Sequence, residues 1–276
     1  MKAAAFDYVR PKSLAEAIGI LAQTDRDAQV MAGGQSLVAM MNLRVAAPDL
    51  IVDIERLAEL RAASDDAATV WLGACVTHAA IEDHLVPDPS RGLMPSVAAN
   101  LAYRAVRTRG TIGGSLALSD PAADWLTVMA ALDAQVVLRG PPGQRSVNAI
   151  GFTVGVYETV RARDEIVEGV RIPKLSAGAS WGFAKFCRKS GEFANSIATV
   201  VRDPARDYAR VVLGAVDGAP ILLEATSKLA LAGETGPSAW QRAIADDLAA
   251  QDAAFDDFKS SLHTAMTVRA LAQGLS

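Results

Sequence analysis

Two pairs of adjacent glycines, about eighty residues apart, constrain this 276-residue chain more than any other feature of its sequence. The first lies in Ala32-Gly33-Gly34-Gln35-Ser36 and the second in Thr111-Ile112-Gly113-Gly114-Ser115. Because glycine has no Cβ, consecutive N–H groups at such a pair can point into one concavity and bind phosphate oxygens. Either pair alone is more typical of a tight turn between a strand and a helix. Two pairs with matching serine hydroxyls favour a pair of anion-binding turns.

The residues around the first pair alternate between strand and helix patterns. Ser13 and Glu16 form a capping box, and the apolar residues that follow recur at helical spacing. The expected elements are an extended segment at 6–9, a helix from Leu14, a strand at 28–31, a helix at 37–43 and a strand at 50–54. This order predicts a first α/β lobe.

A second set of elements surrounds the later pair. Thr77 is expected to cap a helix through Ile81, and Pro173 with Gly178 marks the expected domain boundary. The other expected elements are a strand at 69–73, helices at 95–105 and 121–132, strands at 135–138 and 166–172, then strands at 181–187, 197–201 and 209–216 followed by helices. From Trp181 onward the pattern changes to strands followed by helices, which predicts a separate α+β domain.

Composition excludes several classes of protein. The formal net charge of −4 disfavours nucleic acid as a partner. No apolar run is long enough for a transmembrane segment, and the first residues lack a secretory signal, so we expect a cytoplasmic protein. The two cysteines, Cys75 and Cys187, are too few for an iron–sulfur cluster and have no zinc or disulfide spacing. We therefore expect no metal ligand in this chain.

Common nucleotide-binding fingerprints are also missing. The GxGxxG motif is absent, and the glycine-rich segment 140–146 lacks the lysine of a P-loop. If the chain binds a dinucleotide, it uses another arrangement.

Four sequence motifs carry a specific resemblance. AGGQSL, RTRGTIGGSLALSDPAADW, EIVEGVRIP and GFAKFCRKSGEFA occur in this order between residues 5 and 200. With them the chain resembles the flavin-binding medium subunit of the molybdenum hydroxylases, the family of carbon monoxide dehydrogenase, xanthine dehydrogenase and bacterial N-heterocycle and aldehyde oxidoreductases. The resemblance implies an α+β fold: a two-lobed FAD-binding domain of the PCMH (vanillyl-alcohol-oxidase-like) type, residues 1–175 with lobes at about 1–55 and 56–175, then a smaller α+β C-terminal domain of the CO dehydrogenase flavoprotein type, residues 176–276.

FAD is the cofactor that the resemblance implies, with no catalytic residue and no metal ligand. Residues 29–36 would line the diphosphate and ribityl chain, and residues 111–115 would close over them from the other lobe. Asp124 would accept hydrogen bonds from cofactor hydroxyls, and Lys185 would lie beside the flavin. The full set is Gln29, Val30, Met31, Ala32, Gly33, Gly34, Gln35, Ser36, Leu101, Thr111, Ile112, Gly113, Gly114, Ser115, Asp124, Ile166, Val167 and Lys185. Two departures from the family stand out: Ser115 replaces a common asparagine, and the match is loose after Val216.

Several of these residues have a simpler interpretation. Asp124 is also a favourable residue for the first turn of a helix, and Leu101, Ile166 and Val167 are typical core residues. Lys185 shares a strand face with Trp181 and Phe183, so its stem would run along apolar surface; an edge-strand lysine that reaches solvent is the alternative. The arginines of residues 104–109 could balance the diphosphate, face an acidic partner or form a solvated helix end.

By resemblance, the chain is the electron-transfer subunit of a heteromeric enzyme. Its partners would be an iron–sulfur small subunit and a molybdopterin large subunit, assembled as a dimer of heterotrimers, with a terminal electron acceptor. Two alternatives stay open at this point. One is a stand-alone FAD-dependent oxidase, which would need a substrate cavity and a catalytic acid or base. The other is a non-catalytic FAD-binding module.

Overall fold

The computed structural model describes residues 2–251 and 255–275. Within them, three sheets of three to five strands follow one another along the chain, and we call them the N-terminal, central and C-terminal sheets. None of the described helices combines the length and the apolar character needed to cross a membrane.

The N-terminal sheet is parallel and has the strand order β1-β3-β2. Its elements are β1 (Asp7–Val9), α1 (Leu14–Gln23), β2 (Ala28–Met31), α2 (Leu37–Asn42), β3 (Leu50–Asp53) and α3 (Ala58–Arg61). The predicted cap is present, since Ser13 Oγ accepts the Glu16 N–H at 3.1 Å. The Glu16 carboxylate accepts the N–H of Lys12, one residue before the capping serine. The apolar side of α1 packs on the sheet, as its helical spacing predicts.

The central sheet is antiparallel, with the order β4-β5-β10-β6-β7. Its strands and the neighbouring hairpin are β4 (Ala63–Asp65), β5 (Thr69–Gly73), β6 (Gln135–Gly140), β7 (Gly143–Asn148), β8 (Thr153–Gly155), β9 (Glu158–Thr159) and β10 (Ile166–Pro173). Five helices lie between β5 and β6: α4 (His78–Glu82), α5 (Leu93–Ala99), α6 (Arg104–Arg107), α7 (Ile112–Leu118) and α8 (Asp124–Ala131). Every residue of α8 is buried, in a hydrophobic core that contains side chains of both the central and the C-terminal sheet.

The C-terminal sheet is an antiparallel meander covered on one face by helices. Its elements are β11 (Ser180–Phe186), β12 (Ser196–Asp203), β13 (Tyr208–Gly214), β14 (Ile221–Leu222), α9 (Glu224–Ala232), α10 (Pro237–Ala249) and α11 (Asp257–Gly274). Val201 and Val212 project from its other face into the same hydrophobic core as α8. The domain boundary at residue 175 therefore stays a prediction, because buried side chains of the two regions share one core.

Three helix predictions need correction. The helix expected over 95–105 ends at Ala99, because the backbone turns at Asn100 and Ala102 has a φ of 37°. The helix expected from Pro121 begins at Asp124, since Asp120 Oδ1 accepts the N–H of Ala122 in a turn before it. The second glycine pair, expected as a turn, lies in the first turn of α7.

Candidate functional site

The two glycine pairs lie against each other in the folded chain. A Cβ added to Gly33 would come within 2.6 Å of the Arg109 carbonyl carbon and 3.0 Å of the Gly110 Cα. On the other side, a Cβ on Gly114 would lie 3.6 Å from the Ala32 Cβ. Glycine at position 33 therefore permits direct backbone contact between the segments. We call residues 32–36 and 109–115 together the glycine junction.

The first segment leaves its backbone donors available. It follows β2 at the carboxyl edge of the parallel sheet, and Gly34 turns the chain with a φ of +69°. Within the described residues, no protein acceptor pairs with the N–H groups of residues 33–36. Gly33 is buried, and unpaired N–H groups in such a place need a partner. A diphosphate, which has only acceptor oxygens, fits these donors.

The second segment does not form the anion-binding concavity that the sequence predicts. Thr111 caps α7, and its Oγ1 accepts the Gly114 N–H at 3.1 Å. The N–H groups of Ile112 and Gly113 donate to the carbonyls of Val76 and Ala74 at 3.0 and 2.9 Å. The expectation that these N–H groups point into an open concavity is wrong, because segment 74–78 pairs with them. Thr111, Ile112 and Gly113 are buried, whereas Gly114 and Ser115 are partly exposed, so the Ser115 hydroxyl is the accessible donor of this segment.

At the other end of α7, Lys185 forms a buried ion pair with Asp124. Its Nζ donates to Asp124 Oδ1 at 3.0 Å and to the Asn100 carbonyl at 2.9 Å. The two side chains are 16% and 8% exposed, so little water screens the pair. Burial raises the pKa of Asp124, and the ammonium of Lys185 opposes that rise. A carboxylate held here keeps a second oxygen that can accept from a ligand hydroxyl.

The strand parity predicted for Lys185 is confirmed. Trp181 and Phe183 pack on the core that includes α8, while Ala184 packs among the C-terminal helices. Lys185 therefore lies on the face directed at α8, with its stem between apolar groups and its ammonium at Asp124. An edge-strand lysine directed to solvent does not describe it.

Helix α7 joins the glycine junction to the Lys185 pair. Its seven residues, 112–118, span about 10 Å at 1.5 Å per residue. Ser119 then ends the helix in a left-handed conformation with a φ of 55°, and the Asp120 turn leads to Asp124. Along the chain, the second glycine segment and Asp124 are thus connected by one short helix and one turn.

The remaining predicted residues fall into two groups. Leu101, Ile166 and Val167 place their side chains against hydrophobic cores, with Ile166 only 2% exposed. A β-bulge follows Val167 in the pairing of β10 with β6. Gln29 and its neighbours Val30 and Met31 lie on β2, the edge strand that leads into the junction. Contact of these residues with a cofactor stays a prediction.

The basic run is largely paired within the chain. Arg107 forms a forked pair with Glu82, at 2.8 and 2.9 Å, and also donates to the Leu101 carbonyl at 2.8 Å. Arg104 pairs with Glu82 and Asp83. Arg109, about half exposed, contacts Glu55 at 3.3 Å. Arg104 and Arg107 therefore join α6 to α4, which makes them structural.

Sequence reasoning missed three residues at the site. Asn100 accepts from Lys185 through its carbonyl, an atom that no side-chain pattern reveals. His78 and Trp125 form a buried pair beneath the junction, in which the indole Nε1 donates to His78 Nδ1 at 3.1 Å. A signal for the pair existed, because Trp125 follows the motif aspartate and His78 follows the helix cap Thr77.

Comparisons with known proteins identify a family model and several similar chains. Residues 4–175 match the family described as the FAD binding domain in molybdopterin dehydrogenase. The chain is 35% identical to the carbon monoxide dehydrogenase medium chain of Hydrogenophaga pseudoflava over 96% of each protein. It is 34% identical to caffeine dehydrogenase subunit beta of Pseudomonas sp. (strain CBB1), over 82% of this chain and 78% of the relative. A solved structure of the Hydrogenophaga pseudoflava carbon monoxide dehydrogenase matches with a TM-score of 0.92 at 34% identity, covering 99% of this chain and 98% of the other.

Proposed function

Because this chain belongs to the FAD-binding subunits of the molybdenum hydroxylase family, we propose that it is the electron-exit subunit of a heteromeric dehydrogenase. Electrons released by substrate oxidation on a molybdopterin subunit would pass through iron–sulfur clusters to the FAD on this chain. A terminal acceptor would then take them from the flavin. The observation that carries the proposal is the match to a medium chain along 96% of both proteins.

The proposed FAD site spans the glycine junction and the Lys185 pair. The unpaired N–H groups of residues 33–36 would bind the diphosphate, and Ser115 would add a hydroxyl donor. Asp124 would accept from cofactor hydroxyls, and Lys185 would place a cation beside the flavin. When bound, FAD supplies a redox centre that accepts and releases electrons singly or in pairs.

In this proposal the chain's residues bind, orient and tune the cofactor and carry no acid–base step. The Lys185 ammonium would favour negative charge nearby, because its site is poorly screened by water. The same ammonium donates to Asp124 and to the Asn100 carbonyl, so it would fix the position of both groups beside the flavin. Gly33 would allow direct backbone contact between the two segments and so hold the donors of residues 33–36 in place for the phosphates.

The proposed partners are an iron–sulfur small subunit and a molybdopterin large subunit, in a cytoplasmic dimer of heterotrimers. The cysteines support a separate cluster-bearing chain. Cys75 is buried, and burial raises the pKa of its thiol to about 12, so that a thiolate ligand is disfavoured there. A single remaining cysteine, Cys187, cannot hold a cluster that needs about four thiolates.

The test is purification of the native chain from its own cells with its companions, followed by an absorption spectrum and metal analysis. We expect flavin, iron and molybdenum with two further polypeptides. Removal of FAD should leave reduction of the iron–sulfur bands by substrate intact, and should abolish turnover with the terminal acceptor. Added FAD should restore turnover, whereas added FMN, which lacks the adenylate half, serves as the matched control.

Two other outcomes would contradict the proposal. Flavin that is reduced directly by a small organic substrate, without metals or companions, would identify a stand-alone oxidase. Flavin that remains on the chain after denaturation would strengthen that result, because it indicates covalent attachment. Bound flavin with neither companions nor any reduction would identify a non-catalytic FAD-binding module.

A further inference from the structure

One buried imidazole contacts the elements that build the proposed FAD site. His78 is the first residue of α4 and is 8% exposed. Its Nδ1 accepts the indole N–H of Trp125 at 3.1 Å, and the two ring centroids are 5.9 Å apart. Trp125 follows Asp124 directly on α8. The imidazole therefore fixes the first turn of the helix that carries the Asp124 carboxylate.

The same residue contacts the segment that leads into α7. The His78 N–H donates to the Gly110 carbonyl at 2.9 Å. The imidazole packs on Gly110 so closely that a Cβ there would lie 2.8 Å from His78 Cδ2 and 2.9 Å from Nε2. Thr111, which follows Gly110, caps α7 and forms an isolated bridge with Thr77. The position of the second junction segment thus depends on the imidazole.

Contact continues from this segment to the first glycine pair. Gly33 packs on the backbone of Arg109 and Gly110, where a Cβ would approach the Gly110 Cα to 3.0 Å. Gly110 is therefore covered by the imidazole of His78 and also contacts the loop whose N–H groups are unpaired. The imidazole of His78 therefore contacts α8 and also the segment on which Gly33 packs.

Only one protonation state of the imidazole suits these contacts. Nδ1 must be unprotonated to accept from the indole, so the neutral ring carries its proton on Nε2. Burial, together with the charge of Arg107, lowers the pKa of His78 to about 4. The ring is thus neutral at physiological pH and serves as a fixed acceptor.

We infer that His78 is a positioning residue for FAD, which sets the distance between the phosphate-binding glycine junction and Asp124. The inference rests on the proposed FAD site. It concerns a residue that does not belong to either glycine segment or to the Lys185 pair, and that acts on the cofactor through Gly110 and Trp125.

The test is a comparison of the two buried histidines. His263, in α11, is 1% exposed, its Nδ1 is 2.9 Å from Ser196 Oγ, and its pKa is also lowered by burial to about 4. The full chain, with the subunits that purify with it, is freed of flavin and titrated with FAD while flavin fluorescence is measured. His78→Leu should weaken FAD binding at least tenfold, whereas His263→Leu should change the dissociation constant less than twofold.

A rescue variant separates positioning from general stability. The amide oxygen of His78→Asn can accept from Trp125 near the place of Nδ1, so FAD affinity should recover to within about threefold of wild type. The visible circular dichroism of bound flavin should change in His78→Leu and return in His78→Asn. If His78→Leu does not fold, Trp125→Phe removes the indole N–H together with part of the buried ring, leaves the imidazole in place, and should weaken FAD binding severalfold.

The outcomes distinguish two kinds of failure. Wild-type chain that does not take up FAD would refute the proposed site itself. Wild-type chain that binds FAD, with His78→Leu or Trp125→Phe binding equally well, would overturn the inference about His78. Equal loss of affinity in His78→Leu and His263→Leu would also overturn it, because the effect would then follow from stability.

Discussion

Replacement of Gly33 by alanine tests whether contact between the two glycine segments sets the FAD site. The added Cβ would lie 2.6 Å from the Arg109 carbonyl carbon and 3.0 Å from the Gly110 Cα, where about 3.5 Å is normal for carbon atoms. Both atoms are backbone, and hydrogen bonds at Gly110 and Ile112 fix that backbone, so no side chain can rotate away. The segments must separate by roughly 1 Å. Overpacking of this kind lowers the free energy of unfolding by about 1–3 kcal/mol.

The separation should cost cofactor affinity as well as stability. If it breaks one hydrogen bond to a charged phosphate, the loss is about 1.5–3 kcal/mol, or roughly 10- to 100-fold in the dissociation constant. Denaturant unfolding of the flavin-free chain and FAD titration by fluorescence measure the two effects separately.

Two matched variants control the experiment. Gly19→Ala, in α1, adds a Cβ with nothing within 4 Å and should stabilise the chain by about 0.5–1 kcal/mol without changing FAD affinity. Gly113→Ala meets the Ala74 backbone, at 2.6 Å from its Cα, and should destabilise α7 without touching the first segment. A Gly33→Ala chain that binds FAD as tightly as wild type would refute the reasoning.

Three further predictions concern buried charge. Lys185→Met should destabilise the chain by about 3–5 kcal/mol because it leaves Asp124 buried without a counter-ion. The double variant with Asp124→Asn should recover part of that loss. A double-mutant cycle in denaturant unfolding measures the coupling, and additive losses would contradict the prediction. His78 and His263 have folded pKa values lowered to about 4 from 6.5, so the unfolded chain binds more protons between these pH values and stability should fall on acidification, by up to about 3 kcal/mol for each. Denaturant unfolding measured at several pH values gives the dependence of the free energy of unfolding on pH. This dependence should be weaker in variants that lack one of the two histidines. Arg107→Lys keeps the charge but loses the forked pairing, and should lower stability by about 1–3 kcal/mol with little change at higher salt, since the guanidinium is only 11% exposed.

Capping, helical spacing and strand alternation predicted correctly the elements that depend on residues close together in the sequence. The Ser13 cap and the apolar spacing of α1 predicted that helix, and alternation along residues 181–187 predicted which face of β11 carries Lys185. The motif resemblance assigned the two glycine pairs, Asp124 and Lys185 to one site; the structure brings the glycine pairs into contact and pairs Lys185 with Asp124, and their contact with a cofactor stays a prediction. The helix and strand signals succeed because each depends on residues within about ten positions of one another.

The missed features depend on partners distant in sequence. The anion-binding concavity expected at residues 111–115 is instead the start of a helix, because the carbonyls of Ala74 and Val76 accept two of its N–H groups. The helix expected through residue 105 breaks at Asn100, where the freed carbonyl accepts from Lys185, 85 residues later. β7 went unpredicted because its exposed residues, 143–148, show little apolar alternation. No local pattern contains these contacts.

Helix α8 explains why the C-terminal sheet belongs to the proposed cofactor site. Lys185 pairs with Asp124 at the start of the helix, while Arg210 and Tyr208 donate to the carbonyls of its last turn at 2.8 and 2.5 Å. One sheet therefore satisfies the polar groups at both ends of a fully buried helix. If the chain were cut at residue 175, Asp124 would lose its counter-ion and the carbonyls would lose their donors, at about 1–3 kcal/mol for each unsatisfied group. The FAD-binding region thus depends on the sheet that follows it, and a fragment of residues 1–175 should bind FAD far more weakly than the whole chain.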